Sequence, residues 1–209
     1  MRNHMTLLFI ALTSLPATLP LQAGIVANPS FEATGNCRGY VAGGCAGQAP
    51  WVFTPAASGS AFGVTGGPAP GGGLRGAYFG GMDSEFDTIS QTLSTAPGQV
   101  YTLSFWLDTG TSGHSTGDFR VSWNGVVLYE DPPGTDAAHQ FPYTKIVIPS
   151  LAGTGSDTLA FQGYNYYGND RFDLVDLQPV PEPATFVLVG AAVALLVSRR
   201  RSVRRTYHS

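Results

Sequence analysis

Cys37 and Cys45 are the only two cysteines in the chain, and they sit eight positions apart in a glycine-rich stretch. An even count at that spacing favours a disulfide in an oxidising compartment, closing a small loop worth on the order of 2 to 3 kcal/mol. A metal pair is the poorer reading, because no His or further Cys lies nearby to complete a zinc site. Gly113-His114-Ser115-Thr116-Gly117 fits the G-x-S-x-G pattern of a nucleophile elbow, with Asp136 and His139 elsewhere in the chain. An elbow needs a strand running directly into it and a helix running out. Here the preceding strand ends well before the motif and another strand follows at Phe119, so the segment reads as a small-residue polar loop. Gly71-Gly72-Gly73-Leu74-Arg75-Gly76 fits G-x-G-x-x-G. Without a strand before it and a helix after it there is no dipole to hold a pyrophosphate, and it reads as a turn. Asp83, Glu85 and Asp87 alternate like an ion-binding loop, but Thr88 and Ser94 stand where an EF-hand needs Gly and Glu, which leaves a solvated strand edge. The remaining acids are scattered, and no catalytic residue is assigned.

Recognition chemistry is better represented. Strand alternation places Trp106 opposite Leu103 and Phe105, beside Thr102, Ser104 and Asp108. Tyr164, Tyr166 and Tyr167, with Asn165, Asn169 and Asp170, form a loop rich in rings and amides. Flat rings beside groups that donate and accept hydrogen bonds are how sugars are held. Trp106, Tyr164, Asn165, Tyr166 and Tyr167 are therefore the candidate ligand residues. The competing readings are packing of Trp106 against a second sheet and self-packing of the tyrosine loop.

The elements that must position these residues are short strands. Val100 to Leu107 alternates, with Tyr101, Leu103, Phe105 and Leu107 on one face. Phe119, Val121 and Trp123 repeat the pattern, and Asn124-Gly125 supplies a type I′ hairpin into Val126 to Tyr129. Further strands are expected at Ile25 to Phe31, Trp51 to Thr54, Gly76 to Phe79, Thr88 to Leu93, Tyr143 to Ile148, Thr158 to Gln162 and Phe172 to Leu177, with Gly66 to Gly73 a flexible loop among them. Trp51, Trp123 and most Phe residues are expected in the core. With 27 Gly and 15 Pro among 209 residues and only 12% charged, a helical bundle is excluded. Between Gly24 and Val180 only five basic residues face 13 acids, a charge near −8, so a nucleic-acid partner is disfavoured. The expected fold is a single all-β sandwich over residues 24–177.

The two ends read as addresses. Met1 to Ala23 has one early cation, a short apolar stretch, Pro16, Pro20 and a small residue at Ala23, the pattern of a signal peptide for export and signal peptidase. Residues 178–209 hold Pro181-Glu182-Pro183, an apolar run over 184–197, and Arg199, Arg200 and Arg201. The run gives a helix of about 21 Å, a marginal span. Its basic end stays cytoplasmic, so the domain lies outside the inner membrane. In these three ordered features the tail resembles the PEP-CTERM sorting signals of Gram-negative bacteria. The resemblance implies removal of the tail near Pro181 to Pro183 by an exosortase, after a transient inner-membrane anchor, and passage to the cell surface or exopolysaccharide matrix.

Asn28-Pro29-Ser30-Phe31-Glu32, the Ser90-Gln91-Thr92-Leu93 strand before Tyr101 to Phe105, and Phe172-Asp173-Leu174-Val175-Asp176-Leu177 carry a second resemblance. They are similar to the galactose-binding-like jelly rolls that include many carbohydrate-binding modules. The resemblance implies adjacent first and last strands and a structural Ca²⁺ held by Glu32 and Asp173, although Leu174 stands where the family commonly has a second Asp. Otherwise the two acids are ordinary strand-end residues. Three functions follow as expectations: a non-catalytic glycan-binding module, a structural matrix or adhesion protein without a discrete ligand, and a glycan-active hydrolase. The last needs a carboxylate pair that the sequence does not offer.

Overall fold

The computed structural model describes residues 24–33, 37–39, 45–56, 61–81, 85–109, 117–131, 143–165 and 168–181. The expected signal peptide, Gly113 to Thr116, Asp83, Asp136, His139, Tyr166, Tyr167 and the tail beyond Pro181 lie outside them.

Eleven strands run in chain order: β1 (Cys37–Gly39), β2 (Val52–Thr54), β3 (Phe62–Gly66), β4 (Arg75–Phe79), β5 (Asp87–Ser94), β6 (Val100–Asp108), β7 (Asp118–Trp123), β8 (Val126–Asp131), β9 (Thr144–Ala152), β10 (Ser156–Tyr164) and β11 (Asp170–Pro179). They form two antiparallel sheets, a first ordered β1-β3-β4-β11-β6-β9 and a second ordered β2-β5-β10-β7-β8. The alternation read for Val100 to Leu107 is borne out in β6, and β5 and β10 likewise bury every second side chain, whereas in β7 Ser122 is buried along with Phe119, Val121 and Trp123. Asn124 and Gly125 both take positive φ, 51° and 80°, as the I′ hairpin between β7 and β8 requires. The core is aromatic: Phe31, Phe79, Phe105, Phe119, Phe161 and Phe172 are all at most 1% exposed. Phe161 and Phe172, one from each sheet, stack at 4.2 Å. Trp51 and Trp123 are also core residues.

Three expectations need correction. Ile25 to Phe31 is not a strand, because Asn28 and Phe31 take φ of 48° and 56°. The segment is held instead by a side chain: Gln91 Nε2 donates to Ala27 O and Gln91 Oε1 accepts from Ala27 N, both at 2.9 Å, as a neighbouring strand would. It still meets the closing strand, since Val175 N donates to Pro29 O at 2.9 Å. Residues 67–74 are a fitted cover rather than a loose loop, with Ala69 only 2% exposed. Lastly, Asp87 is not a solvated edge residue: it is buried and accepts a hydrogen bond from Ala56 N at 2.9 Å. Pairing also carries β11 two residues past the expected domain end, to Pro179.

Candidate functional site

Cys37 and Cys45 form the expected disulfide, joining β1 to the 3₁₀ turn Ala46–Gln48. It packs over Gly63, where any Cβ would run into Cys37 O.

On the first sheet, β11 breaks register between Asp173 and Asp176, with Leu174 at φ 51°. Asp173 is fully buried beneath the 67–74 cover. Its Oδ2 accepts from Ala69 N at 3.0 Å and its Oδ1 from Leu174 N at 2.7 Å. Glu32 Oε1 accepts from Leu74 N at 2.7 Å and Arg75 N at 2.6 Å, while its Oε2 pairs with Arg75 Nη1 at 3.2 Å. Two successive glycines serve the two carboxylates. A Cβ on Gly72 would collide with Asp173 Oδ2, and one on Gly73 would lie 2.7 Å from Glu32 Oε1. Burial, opposed by the two backbone amides and reinforced by the Glu32 charge, pushes the Asp173 carboxyl up to about 7. The G-x-G-x-x-G run thus offers its amides to a carboxylate of its own chain.

The donor chemistry here fits Ca²⁺. Both Asp173 oxygens and Glu32 Oε2 keep a lone pair beyond the one hydrogen each accepts, while Glu32 Oε1 spends both of its lone pairs on amide hydrogens, and the glycines let backbone come close. No group of three or more His, Cys, Asp or Glu side chains converges among the described residues, so further ligands would be backbone oxygens or water.

The recognition candidates divide between opposite faces of the sandwich. Trp106 is half-buried on the outer face of the first sheet, across from Lys145 and Asp173. Tyr164 belongs to the second sheet and meets Phe86 edge-on at 5.2 Å. Asn165 is not placed to contact a ligand. It is 2% exposed, donates to Asp170 Oδ1 at 2.9 Å and accepts from Gly168 N at 2.9 Å, which pins the β10–β11 loop.

Beside Tyr164 lies a cluster the sequence did not reveal. Arg120 lies over the Phe86 ring at 4.1 Å and bonds Asp118 Oδ2 at 2.9 Å and Glu130 Oε1 at 2.6 Å. Burial raises the Asp118 pKa against the opposing Arg120 charge, and its Oδ1 is buried without a hydrogen-bond partner. Register aligns Thr54, Thr88, Gln162, Arg120 and Glu130 in one row across all five strands. The next row is Val52, Ser90, Ala160, Ser122 and Val127. Strands spaced about 4.8 Å apart make each row roughly 19 Å long.

Residues 179–201 match the PEP-CTERM protein-sorting motif. The chain thus carries the signature of an exported, exosortase-sorted protein that is anchored in a membrane before processing. No helix among the described residues is long and apolar enough to cross a membrane, the apolar run at 184–197 lying outside them. No curated protein matches the chain by sequence. A candidate sugar-binding protein from Bacteroides thetaiotaomicron shares the fold at TM-score 0.50 and 10% identity, over 76% of this chain and all of that one (100%). TmCBM61, solved with beta-1,4-galactotriose, aligns at 0.47 and 18% identity over 76% of this chain and 100% of that one. The CBM22-1 xylan-binding domain of Paenibacillus barcinonensis Xyn10C aligns at 0.41 and 15% identity, over 64% and 87%. The likeness is one of fold, a jelly-roll sandwich.

Proposed function

We propose that the domain is a non-catalytic glycan-binding module of a cell-surface or exopolysaccharide-matrix protein. The observation that carries the reading is the polar row Thr54–Thr88–Gln162–Arg120–Glu130 on the outer face of the second sheet, with half-buried Phe86 and Tyr164 at one border. Hydroxyls, an amide, a guanidinium and a carboxylate at fixed strand spacing match the alternating donors and acceptors of a sugar chain, and the rings offer it a face. The row is long enough for an oligosaccharide. The same cluster disfavours catalysis: Arg120 bonds both Asp118 and Glu130, so this close pair of acids is held by a cation between them. Glu32 and Asp173 would hold a structural Ca²⁺ on the opposite sheet, where the ion would neutralise their mutual repulsion and tie the opening segment to β11.

Glycan-array binding followed by calorimetry on the best oligosaccharide tests the module. Tyr164→Ala and Gln162→Ala should each weaken binding about tenfold or more, with Trp106→Ala, on the other sheet, unchanged. Loss on Trp106→Ala alone would move the site to the first sheet. Absence of any glycan binding would leave a structural matrix protein without a discrete ligand, and release of reducing sugar would establish an enzyme.

A further inference from the structure

The end of the sandwich where the chain leaves the domain is chemically unlike the rest. Val180 N donates to Val100 O at 2.8 Å, and Gln99 Nε2 donates to Val180 O and Val100 O, each at 2.8 Å. The turns packed around this exit are bonded to one another: Gly98 N donates to Gly153 O at 2.9 Å, Thr95 N to Gly155 O at 3.3 Å, and Asn124 N to Thr158 O at 2.9 Å. Residues 95–100, 124–127, 152–158 and 179–181 therefore make up one surface. Its only ionisable residue is Asp157, which is 0% exposed. Asp157 is spent internally, accepting from Asn124 Nδ2 at 2.6 Å, from Thr154 N at 2.9 Å, from Thr154 Oγ1 at 2.7 Å and from Thr95 Oγ1. What faces outward is apolar and neutral, with Val126 at 65% and Val100 and Val180 each at 39% exposure.

The opposite end carries the acids: Asp87, Asp108, Asp118, Asp131 and Asp170, each at most 6% exposed, and the exposed Glu85 and Glu130 all sit at or beside the strand ends there.

We infer that the uncharged end is a membrane-facing surface, seated on the headgroups of the bilayer that holds the tail before processing. The inference rests on the sorting reading and adds an orientation to it. Three residues, spanned by four Cα–Cα steps, separate Val180, the last one bonded to the sheet, from Ala184, the first of the apolar run. Fully extended they reach at most about 14 Å, against a headgroup layer of roughly 5 to 8 Å. The exit end is therefore held within about 9 Å of the lipid surface. Anionic headgroups repel carboxylates, and the described residues of this end present none, Glu182 in the linker being the one acid beside them, whereas Glu85 and Glu130 are exposed at the opposite end. The glycan-binding row has its aromatic border at that acidic end, which holds it outward from the membrane.

The full-length chain, reconstituted in vesicles of phosphatidylethanolamine and phosphatidylglycerol, tests this with an environment-sensitive fluorophore on Val126→Cys or Glu85→Cys and a quencher on the lipid headgroup. Both sites are exposed. Quenching at position 126 should exceed that at 85 by at least threefold, and the exposed Ser156→Cys gives a second probe of the same end should Val126→Cys fold poorly. Equal quenching at the two ends, or stronger quenching at 85, overturns the orientation while leaving the anchor intact. Flotation is read on the same samples, and a chain that does not float with the vesicles overturns the anchor and the orientation together.

Discussion

Asp173 shows at the scale of one residue how the site works and how much of it could be read from sequence. It and Glu32 were reachable from a resemblance at the two edges of the domain, and the structure sets them against neighbouring glycines of one cover. The Arg120 cluster was not reachable. Its members come from β7, β8 and the residue before β5, and β5 meets β7 only through β10, so no spacing along the chain announces the contact. Trp106 and Tyr164, which looked equivalent as exposed rings, differ for the same reason: the assignment of strands to sheets is not a local property. Asp173 also has a pH signature. Its folded carboxyl titrates near 7, above the ordinary carboxylate value of 3.8, so the folded state holds a proton that the unfolded chain has lost. Without metal, stability should fall as pH rises from about 4 to about 7 and level off above that. If Glu32 and Asp173 hold Ca²⁺ as proposed, the ion would compete with this proton and favour the folded form, so its stabilisation should grow over the same window. Thermal melts at pH 5 and pH 8, with calcium and with chelator, measure both effects. Asp173→Asn should remove both, and a wild type indifferent to calcium at pH 8 would reduce the pair to a proton-sharing contact.

Among the elements, β2 and β4 through β11 were all read as strands, with β1 and β3 missed, and the alternation is uninterrupted in β5, β6 and β10. The segment Ile25 to Phe31 looked equally apolar, but an Asn that accepts positive φ and a Pro turn it away from the sheet. It holds its place through the Gln91 amide, a side chain standing in for a strand. β3 went unread because Gly63 and Gly66 interrupt its pattern, yet Gly63 is required by the close approach of β1. The 67–74 cover was read as loose because glycine, proline and alanine have no side chains to pack. In the structure their smallness is what allows the backbone to lie directly on the carboxylates. Gly72→Ala should therefore destabilise the domain by about 1 to 3 kcal/mol through overpacking against Asp173. Gly66→Ala, which meets nothing within 4 Å, provides the control in the same hairpin and should be near neutral. Chemical denaturation of the two variants measures this, and equal stability would mean that the cover yields freely.

For the whole molecule, the fold fixes where processing can occur. At the front, Ala27 is clamped through both its backbone N–H and its carbonyl, four residues beyond Ala23, the expected last residue of the signal peptide. At the back, Val180 remains bonded to β6 through its own N–H and through Gln99. A cleaving enzyme must take its substrate as free extended chain, and on the C-terminal side such chain begins only at Pro181. A cut before Val180 would require stripping the end of β11 from the sheet, with loss of backbone hydrogen bonds that each contribute about 1 kcal/mol. The sorting motif over 179–201 thus starts on the last pinned residues of the domain, and if the tail is removed as proposed, the folded edge would set the upstream limit of cleavage. The surface form should accordingly begin near Gly24 and end between Pro181 and Pro183, with the disulfide intact. Intact-mass measurement of protein released from the producing cell decides this. A C-terminus before Val180 would show that the edge opens during processing, and recovery of a surface form that still carries Arg199 to Arg205 would refute tail removal altogether.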